Sequence, residues 1–161
     1  MLANMIHAWN RGADLLRKMV SDISDDKVCE QPVNLPNHPL WQIGHLANVR
    51  AHLSKMGPNP VVFPAAWEPL FTRGSTPLGD RAVYPAMSMV MATFDTAHAA
   101  AVEALKSLTP EKLAGPHSLE GFKESHPALG DLLMVLTLLH DGMHAGQISD
   151  WRRAMKLPRV M

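Results

Sequence analysis

Apolar residues recur with helical spacing in four separate stretches of the chain. Leu2, Met5, Ile6, Trp9, Ala13, Leu16, Val20 and Ile23 follow one another at intervals of mostly three and four, which predicts an amphipathic first helix. The pattern stops at Ser24, and the segment to Pro36 carries turn formers and two prolines. A second helix is predicted to begin at Asn37 or His38, where a capping side chain precedes Pro39, and to continue through LWQIGHLANVRAHLSKM to Gly57-Pro58. The third spans Tyr84 or Pro85 to Leu108, with Met87, Val90, Met91, Phe94, Ala101, Leu105 and Leu108 keeping the stripe. Thr109-Pro110 reads as the cap and first turn of a short piece ending at Leu113. The last helix is expected from Ala128 to Met155. The predicted fold class is therefore all-α: a four-helix bundle, one domain over residues 1–161, with a long connection between helices 2 and 3.

That connection, GPNPVVFPAAWEPLFTRGSTPLGDR from Gly57 to Arg81, holds five prolines and three glycines and reads against any long regular element. Loops of this length in compact domains are often functional. Phe63, Trp67 and Phe71 give it the apolar surface either to lie over a pocket or to pack along the side of the bundle. The segment from Gly115 to Pro127 also reads as loop, so His117 and His126 are expected to be solvated.

The strongest chemical signal lies in the last helix. His140 and His144 are four residues apart, so on a helix both imidazoles leave one face about one turn apart, within reach of a single metal ion. The chain has nine histidines, so the spacing alone proves little. The apolar run LLMVLTLL immediately before the pair adds the expectation of burial, where histidines need partners. Gly142 and Gly146 would either end the helix near Asp141 or thin one face so that a neighbouring backbone comes close. A catalytic metal usually takes three protein ligands and leaves a position open. His45 and His52, on one face of the second helix, are the candidates for the third. His45 is the better one, since it sits mid-helix between Ile43-Gly44 and Leu46-Ala47 while His52 lies nearer the end beside Lys55. By itself His45 would read as a hydrogen-bonded core histidine, and so does His98 in the third helix; the pair at 140 and 144 is what turns His45 into a ligand candidate. His7 reads as partly exposed.

Composition narrows the function. With 47% hydrophobic residues, 161 residues can bury a substantial core. Fifteen basic residues balance fifteen acidic ones, so no global field draws the chain to nucleic acid or an anionic membrane. The longest apolar run, Leu132 to Leu139, is too short to span a bilayer, and the N-terminus lacks the features of a signal peptide, so a cytoplasmic location is expected. Cys29 is the only cysteine, which excludes an internal disulfide, and it has no obvious local activator. Arg152, Arg153 and Lys156 suit the negative end of a helix dipole without any phosphate ligand. There is no glycine-rich phosphate loop, repeat or nucleophile elbow.

Three stretches carry a family resemblance: NHPLWQIGHLANVR, WEPLFTRGSTP and HDGMHAGQISDWRR. In order and separation they resemble the DinB-like (YfiT-like) metalloenzyme superfamily, particularly its DinB_2-type members, over nearly the whole chain. The resemblance implies that His45, His140 and His144 form a metal triad in a four-helix bundle that often dimerises. Members of that superfamily include thiol-dependent transferases and an isomerase that uses low-molecular-weight thiols. A similar domain supplies the iron ligands of sulfoxide synthases, with an acidic residue soon after the last histidine; here Ala145-Gly146 and then Gln147 follow, which argues against that oxygen chemistry. Three neutral imidazoles leave a divalent ion its full charge, which favours ionising a thiol or a water near neutral pH. Zinc suits such an open site best, and nickel, iron or manganese are accepted by the same donors. Gln147, Asn48 and Asp141 are candidates to orient the rings. The expected function is a metal-dependent transferase or hydrolase acting on a small molecule, with a low-molecular-weight thiol or water as nucleophile, the 57–81 loop shaping the pocket and a homodimer as the assembly. The alternative is a non-catalytic metal-binding or dimerising bundle.

Overall fold

The computed structural model describes residues 2–32 and 34–160. Among them there is no strand, and the chain is all-helical. Three of the long helices are α1 (Leu2–Val20), α2 (Pro39–Ser54) and α3 (Met87–Lys106). The fourth, α4, covers residues 129–154 as three consecutive stretches, Leu129–Met134, Val135–Leu139 and His140–Ala154. A short helix, Pro110–Ala114, follows α3, and the Thr109 hydroxyl accepts from the Lys112 N–H as its cap (3.3 Å).

Each helix starts and stops for local reasons. His38 caps α2 with its imidazole, Nδ1 accepting from the Trp41 N–H at 3.1 Å, and Pro39 occupies the first turn where its missing N–H costs nothing. In α1 the predicted stripe is buried from Met5 to Val20, while Ile23 falls beyond the helix end. Helix α2 departs from a one-sided pattern: every residue but Val49 and His52 is buried. A helix buried on nearly every side needs cover on nearly every side, and part of it comes from the connection 57–81. That connection contains the short helix Glu68–Phe71, with Phe71 and Phe63 buried and Trp67 packed edge-on against both at 6.4 and 6.0 Å. Where α2 ends, a Cβ on Gly57 would lie 2.7 Å from the Ala104 Cα, so only glycine lets the chain leave α2 this close to α3.

Helix α4 is not the uninterrupted α-helix expected over 128–155. It passes straight through Gly142 and Gly146, where an added Cβ would meet no atom within 4 Å, so these glycines neither break the helix nor admit a close neighbour. The irregularity lies upstream, where Val135–Leu139 adopts a π-helical turn. A π turn accommodates an extra residue. It turns the segment that follows by on the order of a quarter turn relative to a continuous α-helix, so the face on which His140 and His144 lie is set by this turn. The Thr137 hydroxyl donates to the Leu133 carbonyl at 2.7 Å within this turn.

The long helices pack α2 on α3 and α1 on α4, with further contacts between α1 and α3 and between α2 and α4. The apolar core forms two clusters, one around Leu16, Ile43, Leu46, Phe94 and Ile148, the other around Ile6, Trp9, Leu53, Leu105 and Leu133. Arg50, 1% exposed, stands between them, its guanidinium 4.1 Å from the Phe94 ring centre and 5.1 Å from that of Trp9. It forms a two-pronged ion pair with Asp141, and its Nε–H donates to His98 Nδ1 at 3.2 Å. The Trp9 Nε1–H completes the carboxylate at 3.0 Å. Because His98 Nδ1 accepts from Arg50, its proton sits on Nε2 and is donated to Asn10 Oδ1 at 2.9 Å. One network thus ties α1, α2, α3 and α4 together in the interior, and His98 belongs to it.

Replacing one member of a buried ion pair strands the other. Arg50→Met is expected to lower the unfolding free energy by about 3–5 kcal/mol in guanidinium titration. A second expectation concerns acid. Burial, ahead of any charge effect, pushes His38 down to about 4 and His98 down to about 3 from an ordinary 6.5. The unfolded chain therefore binds more protons than the folded one between about pH 6.5 and these values, so stability is complete above that range and falls as pH drops through it. Denaturant midpoints of metal-free protein should be flat above pH 7 and decline below 6.5, by on the order of 2 kcal/mol per buried histidine at pH 5.

Candidate metal centre

His45 from the middle of α2 meets His140 and His144 from α4. His140 Nε2 lies 3.2 Å from His45 Nε2 and 3.2 Å from His144 Nε2. One nitrogen from each ring falls within 4.8 Å of the other two, a grouping able to hold a divalent metal. The rings meet edge to face or tilted, with centres 4.6 to 5.3 Å apart.

Two of the three rings are oriented by hydrogen bonds on their far side. His45 Nδ1–H donates to the Phe71 carbonyl at 2.8 Å, leaving a lone pair on Nε2. Phe71 reaches this position because residue 44 is glycine: a Cβ there would sit 2.3 Å from the Phe71 ring. His144 Nδ1–H donates to Gln42 Oε1 at 3.2 Å, and the Gln42 amide is oriented in turn by donating to the Asn37 carbonyl at 3.0 Å. The Trp41 indole lies parallel to the His45 ring, 5.0 Å between centres, and is anchored by donating to Ser75 Oγ at 2.9 Å. Both Nε2 lone pairs therefore face His140. A single proton on His140 could satisfy one of them, whereas a cation between the rings satisfies all three. Two nitrogens on a tetrahedral zinc stand about 3.3 Å apart at ordinary Zn–N lengths, close to the two 3.2 Å separations here. The donor set fits the group.

The surroundings keep the rings neutral. Burial lowers His45, with Arg73 adding to the effect; burial, then His45, Arg50 and Arg73, hold His140 down at about 4; burial, then His140 and His45, hold His144 at about 3. At neutral pH each can bind an ion without first losing a proton.

The other candidates fall elsewhere. His52 is exposed and donates from Nδ1 to the Asn48 carbonyl one turn back (3.0 Å). His7 is exposed. His117 and His126, expected to be solvated, are half-buried; His117 Nε2–H donates to the His126 carbonyl at 2.6 Å and pins the loop before α4. Cys29 is buried, which pushes its thiol up to about 11 and leaves it unreactive. None of the three groups expected to orient the imidazoles hydrogen-bonds to one of the three rings. Asp141 is committed to Arg50 and Trp9, Gln147 accepts from Asn37 two links away from His144, and the Asn48 carboxamide makes no hydrogen bond among the described residues. Gln42 and Phe71 do the orienting. Gln42 lies three residues before His45 on α2, a position that a helical reading could have flagged; the Phe71 carbonyl carries no side-chain signal at all.

A pocket of about 470 Å³ opens beside His45, between α2 and the first half of α4. The 57–81 connection contributes Thr72 and Arg73 to its rim, immediately after the Phe71 carbonyl that holds His45. The rest of the connection packs its aromatics against α2, so it both lines a pocket and covers a helix.

The chain matches the DinB superfamily over residues 8–148 and belongs to it. No curated protein matches it. Among the described residues no helix is long and apolar enough to cross a membrane.

Gly44→Ala is expected to displace the Phe71 ring and lengthen the bond to His45. Nitrogen-15 NMR of the imidazoles at pH 7.5 should show His45 as the Nδ1–H tautomer in the parent and as a mixture in the variant; an unchanged tautomer would mean that Phe71 does not orient the ring.

Proposed function

We propose that this chain is a single DinB-type four-helix bundle whose His45, His140 and His144 bind one divalent metal, and that it works as a metal-dependent transferase or hydrolase on a small molecule. The observation that carries the reading is the convergence of three neutral imidazoles, two of them with Nε2 lone pairs set by Phe71 and Gln42. Zinc is the metal proposed, with nickel, iron or manganese compatible with the same donors. When bound, the ion would supply the Lewis acidity to ionise a low-molecular-weight thiol or a water near neutral pH.

The chain's own residues do the rest. Gln42 and the Phe71 carbonyl orient two rings, and Trp41 shields the His45 face from solvent. Asp141 is engaged by Arg50 and Trp9 and is not free to serve as a general base, which favours activation of the nucleophile by the metal over activation by a carboxylate. The pocket beside His45 is where an acceptor molecule would bind, next to the centre. A cytoplasmic homodimer completes the proposal. It is supported by the balanced charge and by the exposed Leu139 and Met143 on the outer side of α4, where Gly142 and Gly146 leave the backbone open to a second copy.

Protein purified without an affinity tag should carry about one metal per chain, and His45→Ala and His144→Ala should lose it, as read by elemental analysis. Gln42→Leu should weaken the metal about 10–100-fold while leaving the fold intact. A screen of thiols against electrophilic acceptors then tests the transferase reading. Stoichiometric metal in both alanine variants would exclude the triad, and metal in the parent without any turnover would leave the non-catalytic binding module.

A further inference from the structure

We infer that the pocket beside His45 is built for an amphipathic organic anion, with a carboxylate held by Arg73 and a compact apolar body held between α2 and α4. Its walls are apolar: Val49, Leu53, Leu132 and Leu136 are typical of them. No aspartate or glutamate lines it, and its one permanent charge is Arg73. Among the described residues Arg73 makes no ion pair and no hydrogen bond; its guanidinium rests 5.7 Å from the Phe122 ring centre, a contact that brings the 57–81 connection against the loop before α4 across the pocket mouth. An arginine fork without an acidic partner, at the rim of an apolar pocket, matches a planar carboxylate.

A second polar group marks the pocket as a ligand site. Asn48 is 7% exposed and lines the pocket, yet its Oδ1 is buried with no partner. A buried amide oxygen left unpaired costs free energy, and a hydrogen-bond donor on the ligand body, separate from its carboxylate, would satisfy it. Arg73 is two residues beyond Phe71, whose carbonyl bonds His45, so a carboxylate at Arg73 leaves the remainder of the ligand alongside the histidine cluster. That this ligand is the substrate rests on the metal-dependent reading above; that it binds does not.

The test uses 4-phenylbutyrate and its neutral isostere 4-phenylbutanamide, titrated calorimetrically into the full chain, both stripped of metal by chelation and loaded with zinc. The carboxylate should bind metal-free protein about tenfold or more tighter than the amide, and this preference should shrink as salt rises. Arg73→Gln, at an exposed loop position, should remove the preference and leave amide binding unchanged, and Arg73→Lys should restore part of it. Val49→Trp, which fills the pocket from a half-buried position, should abolish binding of both probes. Equal affinities for the two probes, no binding to metal-free protein, or a preference that survives Arg73→Gln would overturn the inference. A preference seen only with zinc would likewise overturn the Arg73 assignment and would show the carboxylate going to the metal. Failure of the histidine variants to lose metal would leave the metal-free result standing, so the two readings fail separately.

Discussion

The ion pair between Arg50 and Asp141 is the constraint on which the rest depends. Two full charges lie inside the protein, at 1% and 4% exposure, and neither is tolerable there without the other. The pair joins α2 to α4, and its partners come from the other long helices and from α2 itself: Trp9 from α1 on Asp141, and the Leu46 carbonyl from α2 and His98 from α3 on Arg50, with Asn10 of α1 behind His98. An apolar core alone would allow these helices to slide or rotate at modest cost, because repacked hydrophobic side chains of similar volume are often tolerated. A forked guanidinium with directional bonds to His98 on α3 and to Asp141 on α4, whose carboxylate is bonded in turn by Trp9 on α1, does not allow it.

Asp141 directly follows His140, and Arg50 lies five residues after His45, so the same pair sets the position of α4 against α2 where the imidazoles meet. Neutral rings could not be brought within 3.2 Å by hydrophobic packing with any precision, since that force has no direction. The ion pair sets the helices. The outer hydrogen bonds to Phe71 and Gln42 then aim the rings, and each orienting group is itself held: Phe71 by lying on a residue without a side chain, Gln42 by the Asn37 carbonyl. Apolar packing supplies stability, and the polar contacts supply geometry.

The connection 57–81 takes part in all of this. It covers the face of α2 that would otherwise be wet, provides the carbonyl that orients His45, and ends at the rim of the pocket with Thr72 and Arg73. Proline and glycine deny it regular hydrogen bonding, and the aromatic trio of Phe63, Trp67 and Phe71 replaces that with packing. The Phe71 carbonyl is available to His45 because Phe71 ends the short helix Glu68–Phe71, and the last carbonyls of a helix have no intrahelical partner.

Periodicity and capping chemistry were enough to locate the four long helices within a few residues, because both are local: His38-Pro39 starts α2 and Thr109-Pro110 starts the short helix whatever surrounds them. The four-residue spacing of His140 and His144 was equally legible, and His45 stood out from His52 by its mid-helix, apolar setting. What no local pattern carried was anything that depends on a partner distant in the chain. The π turn at Val135–Leu139 changes which face of α4 points inward, yet the run LLMVLTLL is apolar all round and shows no preferred side. The identity of the groups behind the imidazoles was likewise invisible. A carboxylate such as Asp141 looks available until Arg50, 91 residues earlier in the chain, is seen to occupy it, and a backbone carbonyl leaves no mark in the sequence. The amino-acid sequence by itself therefore determined which segments are helical and which side chains can ligate, since those follow from nearest neighbours. Only the tertiary structure decided how the rings are aimed and which polar groups remain free, since hydrogen bonds between distant segments exist only once the chain is packed.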